Sequence, residues 1–199
     1  VSDGPVCLPG RWRAALALVL AALGAGIGLA CGGGSPTDVV TPVDVDVTVV
    51  ANQAPGPRSV DLQLASQSGR DVSIRVVGTG FQDVTAIAFD LSYDAGLVDF
   101  TGAGGGTFFG PDAVVGANPV QVVPGRLVGV AAAVSQAEGR SGDGTLMTLQ
   151  FRIKSLRDGE MPLIFGGSES LVYGPAGVIA NHGFHDARLV TRILTGTGP

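Results

Sequence analysis

Two histidines, His182 and His185, stand three apart in Asn-His-Gly-Phe-His-Asp, with Asp186 adjoining. Two imidazoles and a carboxylate are metal-ligand chemistry. A glycine-containing loop fixes no geometry for them, and no H-E-x-x-H helix accompanies them, so they are expected to be exposed loop histidines. The serines of Gln67-Ser68-Gly69 and Gly167-Ser168-Glu169-Ser170 lack the G-x-S-x-G elbow that presents a nucleophile. Asp90, Asp94 and Asp99 crowd one region, but Asp94 reads as a turn cap and Asp99 as an outward strand residue, which leaves no acid–base pair. Asp83, Asp112, Asp143 and Asp158 fall in loops where hard oxygen ligands could gather around calcium. Their spacing makes no EF-hand, and solvated turn residues are the expectation. No catalytic group, metal or cofactor is therefore assigned, and the chain is not expected to be an enzyme.

Binding chemistry is better represented. Phe108 and Phe109 lie in the glycine-rich loop Gly102–Gly110, and Tyr173 lies in a second weakly structured segment. On the surface these rings could stack on a sugar or receive a partner's apolar anchor. The competing expectation is that Phe108 or Phe109 folds back as a plug over the end of the core. Cys7 and Cys31 are the only cysteines and both precede the folded part, which has no disulfide or thiol chemistry.

The elements that position these groups are strands. From Val84 to Asp94 the sequence alternates, with Thr85, Ile87, Phe89, Leu91 and Tyr93 on one face and Val84, Ala86, Ala88, Asp90 and Ser92 on the other. The first set is core-forming and the second is expected to be exposed. Thr145 to Lys154 alternates as cleanly, burying Met147, Leu149, Phe151 and Ile153. Val60–Leu64 and Val72–Val76 form an expected hairpin about a turn at Ser66–Arg70, with Gly78-Thr79-Gly80 standing between it and the strand that begins at Val84. Further strands are expected at Leu97–Phe100, Val120–Val123, Leu127–Val134, Met161–Phe165, Ser170–Tyr173 and Ala187–Leu194. With 32 glycines and 12 prolines, and no helical period after residue 31, eight to ten strands imply an all-β, two-sheet antiparallel β-sandwich of the jelly-roll kind.

Ahead of it, Arg11, Arg13 and the apolar run Ala14–Ile27 read as an export signal over residues 1–31. It ends in Gly28-Leu29-Ala30-Cys31, which resembles a bacterial lipobox in part: the leucine sits one place late. Cys31 is the expected lipidation site, and ordinary cleavage to a secreted protein is the alternative. Residues 32–58 are expected to be a flexible tether with an edge strand over Val43–Val50, and residues 59–199 the sandwich. Beyond Cys31 there are 10 Lys and Arg against 16 Asp and Glu, a net −6, which excludes the basic footprint of a nucleic-acid binder. Contact with a membrane is expected only through the lipid at Cys31.

Two segments resemble signatures of cohesin domains, the sandwich modules that bind dockerins in cellulosomes. Ala88–Phe100, A-F-D-L-S-Y-D-A-G-L-V-D-F, is similar to their strand ending in Tyr-Asp, turn and short strand. Gly142–Lys154, G-D-G-T-L-M-T-L-Q-F-R-I-K, is similar to their glycine turn and long alternating strand. The resemblance covers about Val60–Leu194. It implies a non-catalytic cell-surface scaffolding module that docks a dockerin-like protein or associates with polysaccharide; the alternative is direct carbohydrate binding through the loop aromatics. It also implies that the face carrying Ala86, Ala88, Asp90 and Ser92 is where a partner would lie. Cohesins often carry Asn and Asp at the positions of Ala86 and Ala88, and two alanines cannot supply those hydrogen bonds.

Overall fold

Alternation of large apolar residues with small or polar ones divides the chain into thirteen strands. The computed structural model describes residues 44–119, 123–133 and 138–194. The strands are β1 (Asp44–Ala51), β2 (Ser59–Ser68), β3 (Asp71–Val84), β4 (Ala86–Ser92), β5 (Val98–Gly105), β6 (Val114–Pro119), β7 (Arg126–Ala132), β8 (Arg140–Ile153), β9 (Gly159–Phe165), β10 (Leu171–Gly174), β11 (Gly177–Ile179), β12 (Gly183–Phe184) and β13 (Ala187–Leu194). No helix occurs among the described residues. The signal segment, Cys31 and the first part of the tether lie outside them.

Two sheets pack face to face as a β-sandwich. One has the order β12-β2-β3-β8-β5; the other runs β1-β13-β9-β4-β10-β11, with β7 also on β4 and β6 on β7. Pairing is antiparallel throughout except for the short β12 beside β2. One edge of β4 is shared, by β10 at Ala86–Ala88 and by β9 at Leu91–Ser92, and the other edge pairs with β7 along its whole length. The strand expected to be central is therefore central to its sheet.

Ile87, Phe89 and Leu91 of β4 meet Phe81, Leu62, Ile74, Met147, Leu149 and Phe151 of the facing sheet in one buried core. Phe89 stands edge-on to Phe165 at 5.5 Å and lies over Gly129 of β7. A Cβ on Gly129 would come within 2.3 Å of the Phe89 ring, so this strand has no room for a side chain there. In β8 the inward set Met147, Leu149, Phe151 and Ile153 is buried as its alternation predicts. Leu146 is buried too, because the register with β3 slips between Val76 and Val77 and leaves it as an extra residue in a bulge.

Several boundaries differ from the sequence reading. The edge strand expected over Val43–Val50 is β1, which pairs with β13 over its full length and buries Val45 and Val47, so among the described residues Asp44–Ala51 is already part of the sandwich. Gly78-Thr79-Gly80 does not end the strand: β3 continues through it by successive register shifts, with Gly78 beneath the Phe81 ring and Gly80 at φ 64°. Val84 consequently ends β3 inside the core, not on an outer face. The hairpin partner of β7 is Val114–Pro119, a strand without alternation strong enough to be noticed, whereas most of Val120–Val123 lies outside the described residues.

Candidate functional site

The outer surfaces of the two sheets differ in kind. On β3 and β8 the outward positions are Arg75 opposite Thr148, Ser73 opposite Gln150 and Asp71 opposite Arg152, a solvated polar face. On the other sheet the β1, β13 and β9 part carries Asp44, Asp46, Arg188, Arg192 and Glu160 outward, whereas the outward positions of β6, β7, β4, β10 and β11 are mostly apolar. The register sets them in rows: Val178, Tyr173, Ala86, Ala132 and Val114 in one, and Leu171, Ala88, Val130 and Gly116 in the next. Neighbouring strands are about 4.8 Å apart, so each row is continuous across the sheet. Val128 and Val130 keep 41% and 40% exposure, and Val114 and Val178 are still more open. Monomeric proteins rarely leave a contiguous apolar patch uncovered without a function for it.

The residues expected to lie together, Ala86, Ala88, Asp90 and Ser92, do share this outward row of β4, and Tyr173 is paired beside Ala86. Asp90 is the exception to the expected exposure. It is only 3% exposed, because Arg126 of β7 covers it and donates from Nε to Asp90 Oδ2 at 2.5 Å. The same guanidinium also pairs with Glu169. Asp90 Oδ2 is thereby charge-compensated, and Arg126 holds the carboxyl below its ordinary range while being raised itself by the same contact. Ser170 is buried next to the Asp90 backbone, and Gly166 N donates to Asp90 O at 2.8 Å, so the turn after β9 closes this end of the face.

Phe108 and Phe109 are not on the surface. They are 8% and 4% exposed; Phe108 stands edge-on to Phe81 at 5.4 Å, and the two rings meet at 4.9 Å. The loop folds back as a plug, its path fixed by Phe108 N donating to Thr145 O at 2.9 Å. Of the three candidate aromatics, only Tyr173 reaches an outer face.

The histidines are not exposed loop residues either. His185 Nδ1 lies 2.8 Å from Oδ1 of buried Asp61, whose Oδ2 accepts from Ser59 Oγ at 2.5 Å. The carboxylate stands between serine and imidazole, so the histidine cannot take the serine proton, and the trio pins β12 to β2 instead of forming a nucleophile. His182 packs edge-on to Phe81 at 5.2 Å with both ring nitrogens buried and unpartnered. Burial pushes its imidazole below the ordinary range. Among the described residues no three potential ligands converge on a metal position. Asp83, Asp143 and Asp158 accept from the backbone N–H groups of Gly139, Gly80 and Ile193, and Asp94 caps its turn by accepting from Gly96 N at 2.7 Å.

Val128, Val130, Val114 and Leu171 escaped notice in the sequence because alternation does not say which parity faces the core. In β7 the inward set is Leu127, Gly129 and Ala131, small because Phe89 fills the space above Gly129, and the valines point outward.

Comparison with known proteins agrees with this architecture. A family model described as Cohesin domain matches residues 59–171. The solution structure of CaCohA2 from Clostridium acetobutylicum superposes with TM-score 0.54 at 22% identity, covering 72% of this chain and 95% of that one. The third cohesin ScaC in complex with the ScaB dockerin, from Acetivibrio cellulolyticus, gives 0.51 at 17% identity over 61% and 89%. The Coh-OlpC-Doc435 complex of Clostridium thermocellum gives 0.51 at 16% identity over 73% and 93%. At these identities the structural likeness speaks for the fold. No curated protein matches the chain.

Proposed function

The chain belongs to the cohesin domain family, and from that premise we propose that it is a non-catalytic protein-docking module whose partner is of the dockerin type. The observation that carries this reading is the exposed apolar face of β6, β7, β4, β10 and β11, lined mostly by small or aliphatic side chains. Such a surface suits a protein interface better than a small-molecule pocket. Two of the solved cohesins are described as complexes with a dockerin, which supports the same class of partner. Ala86 and Ala88 make the contact apolar where hydrogen bonds are often used, so affinity must come from buried area and shape. A carbohydrate platform would rest on Tyr173 alone, since Phe108 and Phe109 are plugs.

A pull-down from the native secretome with the wild-type chain and its Val130→Arg variant tests the reading. A secreted protein captured by the first and lost by the second is the expected result. Polysaccharide retained equally by both, with no protein captured, would overturn it. We also propose export and anchoring through a lipid on Cys31. A Cys31→Ser variant should leave the membrane fraction and change its mass processing; one that does neither rules the anchor out.

A further inference from the structure

After β11 the chain crosses from one sheet to the other in Ala180, Asn181 and His182. β11 pairs with β10, and β12, which follows at Gly183, lies parallel to β2 in the facing sheet. Asn181 makes the crossing in the left-handed conformation, at φ 67°. His182 then stands edge-on to Phe81, the ring that also meets Phe108. Both His182 nitrogens are shut off from solvent, and no described group pairs with either.

This position suits a neutral ring and not a charged one. Burial and the nearby Arg58 guanidinium oppose the proton; the carbonyls of Ile179 and Ala180 favour it but do not meet hydrogen-bond geometry. The acids of the surrounding elements are engaged elsewhere: Asp61 with Ser59 and His185, Asp83 with Gly139 N, Asp143 with Gly80 N, and Asp186 with Phe165 N. Asp112 and Arg140 line the cleft beside Ala133. The crossing is held on both flanks. On one, β11 pairs with β10; on the other, Phe184 stands edge-on to Phe165 at 5.3 Å and His185 Nδ1 donates to Asp61. Nδ1 keeps its hydrogen in the neutral and the charged ring alike, so acid leaves that anchor in place.

From this geometry we infer that Ala180–Gly183 is an acid-released flap: protonation of His182 expels its ring and uncovers Phe81, while the anchors on either side stay closed. Such a local opening needs less free energy than unfolding of the whole domain. Its population rises as pH falls, because the open form binds the proton more readily than the closed one.

Hydrogen exchange of the whole chain, resolved to single amides, tests this. The reporter is Gly183 N, which donates to Arg58 O at 3.0 Å; the controls are His185 N, which donates to Val60 O at 2.9 Å, and the Phe151 amide of β8. From about pH 8 to about pH 5.5, one unit below the ordinary imidazole value, the protection factor of Gly183 should fall about five- to tenfold. Those of the controls should change less than about twofold. His182→Leu and His182→Gln should each abolish the dependence, the second from a lower protection at both pH values. The wild-type comparison carries the test on its own if a variant does not fold. Gly183 protection that is unchanged in the wild type, or that falls as far in either variant, overturns the inference. A loss shared by His185 and Phe151 also overturns it, since the acid event would then be unfolding of the domain.

Discussion

Asp90 carries a charge at the level of the apolar rows and is kept from solvent by a single arginine. Its depressed folded-state pKa means that its contribution to stability is complete above the ordinary carboxylate value of about 3.9 and is lost as pH falls through the folded value. Asp90→Asn should therefore lower stability at neutral pH and flatten the acid limb below about pH 4; denaturant titrations at neutral and acid pH measure both. An unchanged acid limb would contradict the account of this cluster. His182 behaves in the opposite chemical sense with the same slope. Buried neutral, with its pKa lowered, it binds its proton more readily unfolded than folded, so stability falls as pH drops below about 6.5. His182→Leu should remove that loss, read as a smaller drop in thermal midpoint between pH 8 and pH 5. These two side chains mark the limit of the sequence. Asp90 looked like an outward polar residue, and only the register with β7 reveals Arg126 above it.

At the scale of the element, β1 decides where the domain begins. Prolines at 36, 42, 55 and 57 bracket the edge strand expected within the tether, and that strand is integral to the core: Val45 and Val47 are buried and the Gln67 side chain accepts from Val47 N at 2.9 Å. A chain starting at Ser59 should lose about 3–6 kcal/mol relative to one starting at Asp44, from two buried valines at about 1.5–3 kcal/mol each. Urea denaturation of the two measures it, and equal stability would return β1 to the tether. Gly129 offers the converse case. Gly129→Ala should cost about 1–3 kcal/mol by overpacking against Phe89. Strong alternation made β2, β3, β4, β8 and β13 legible. β6, β11 and β12 were short or of mixed character: β6 and β11 are placed by their near neighbours β7 and β10, and β12 by β2, which is distant in sequence.

At the largest scale, the described residues form a sandwich with a polar outer surface on β3 and β8 and an apolar stretch on β6, β7, β4, β10 and β11. The apolar stretch includes the outer side of β4, the strand whose core side carries the family resemblance, so the fold and the proposed docking surface lie on opposite sides of β4. The core side could be read from Ile87, Phe89 and Leu91 alone. The proposed docking side also draws on residues of four other strands; in β4 its legible part was Ala86, Ala88, Asp90 and Ser92. Hydrogen exchange of the chain with and without the protein it captures tests the central claim most directly. Slowed exchange confined to β4, β7 and β10, around Ala86–Ala88, Val128–Val130 and Leu171–Tyr173, is the predicted result. Protection on β3 and β8, or at the loop bearing Phe108 and Phe109, with these strands unchanged, would contradict it.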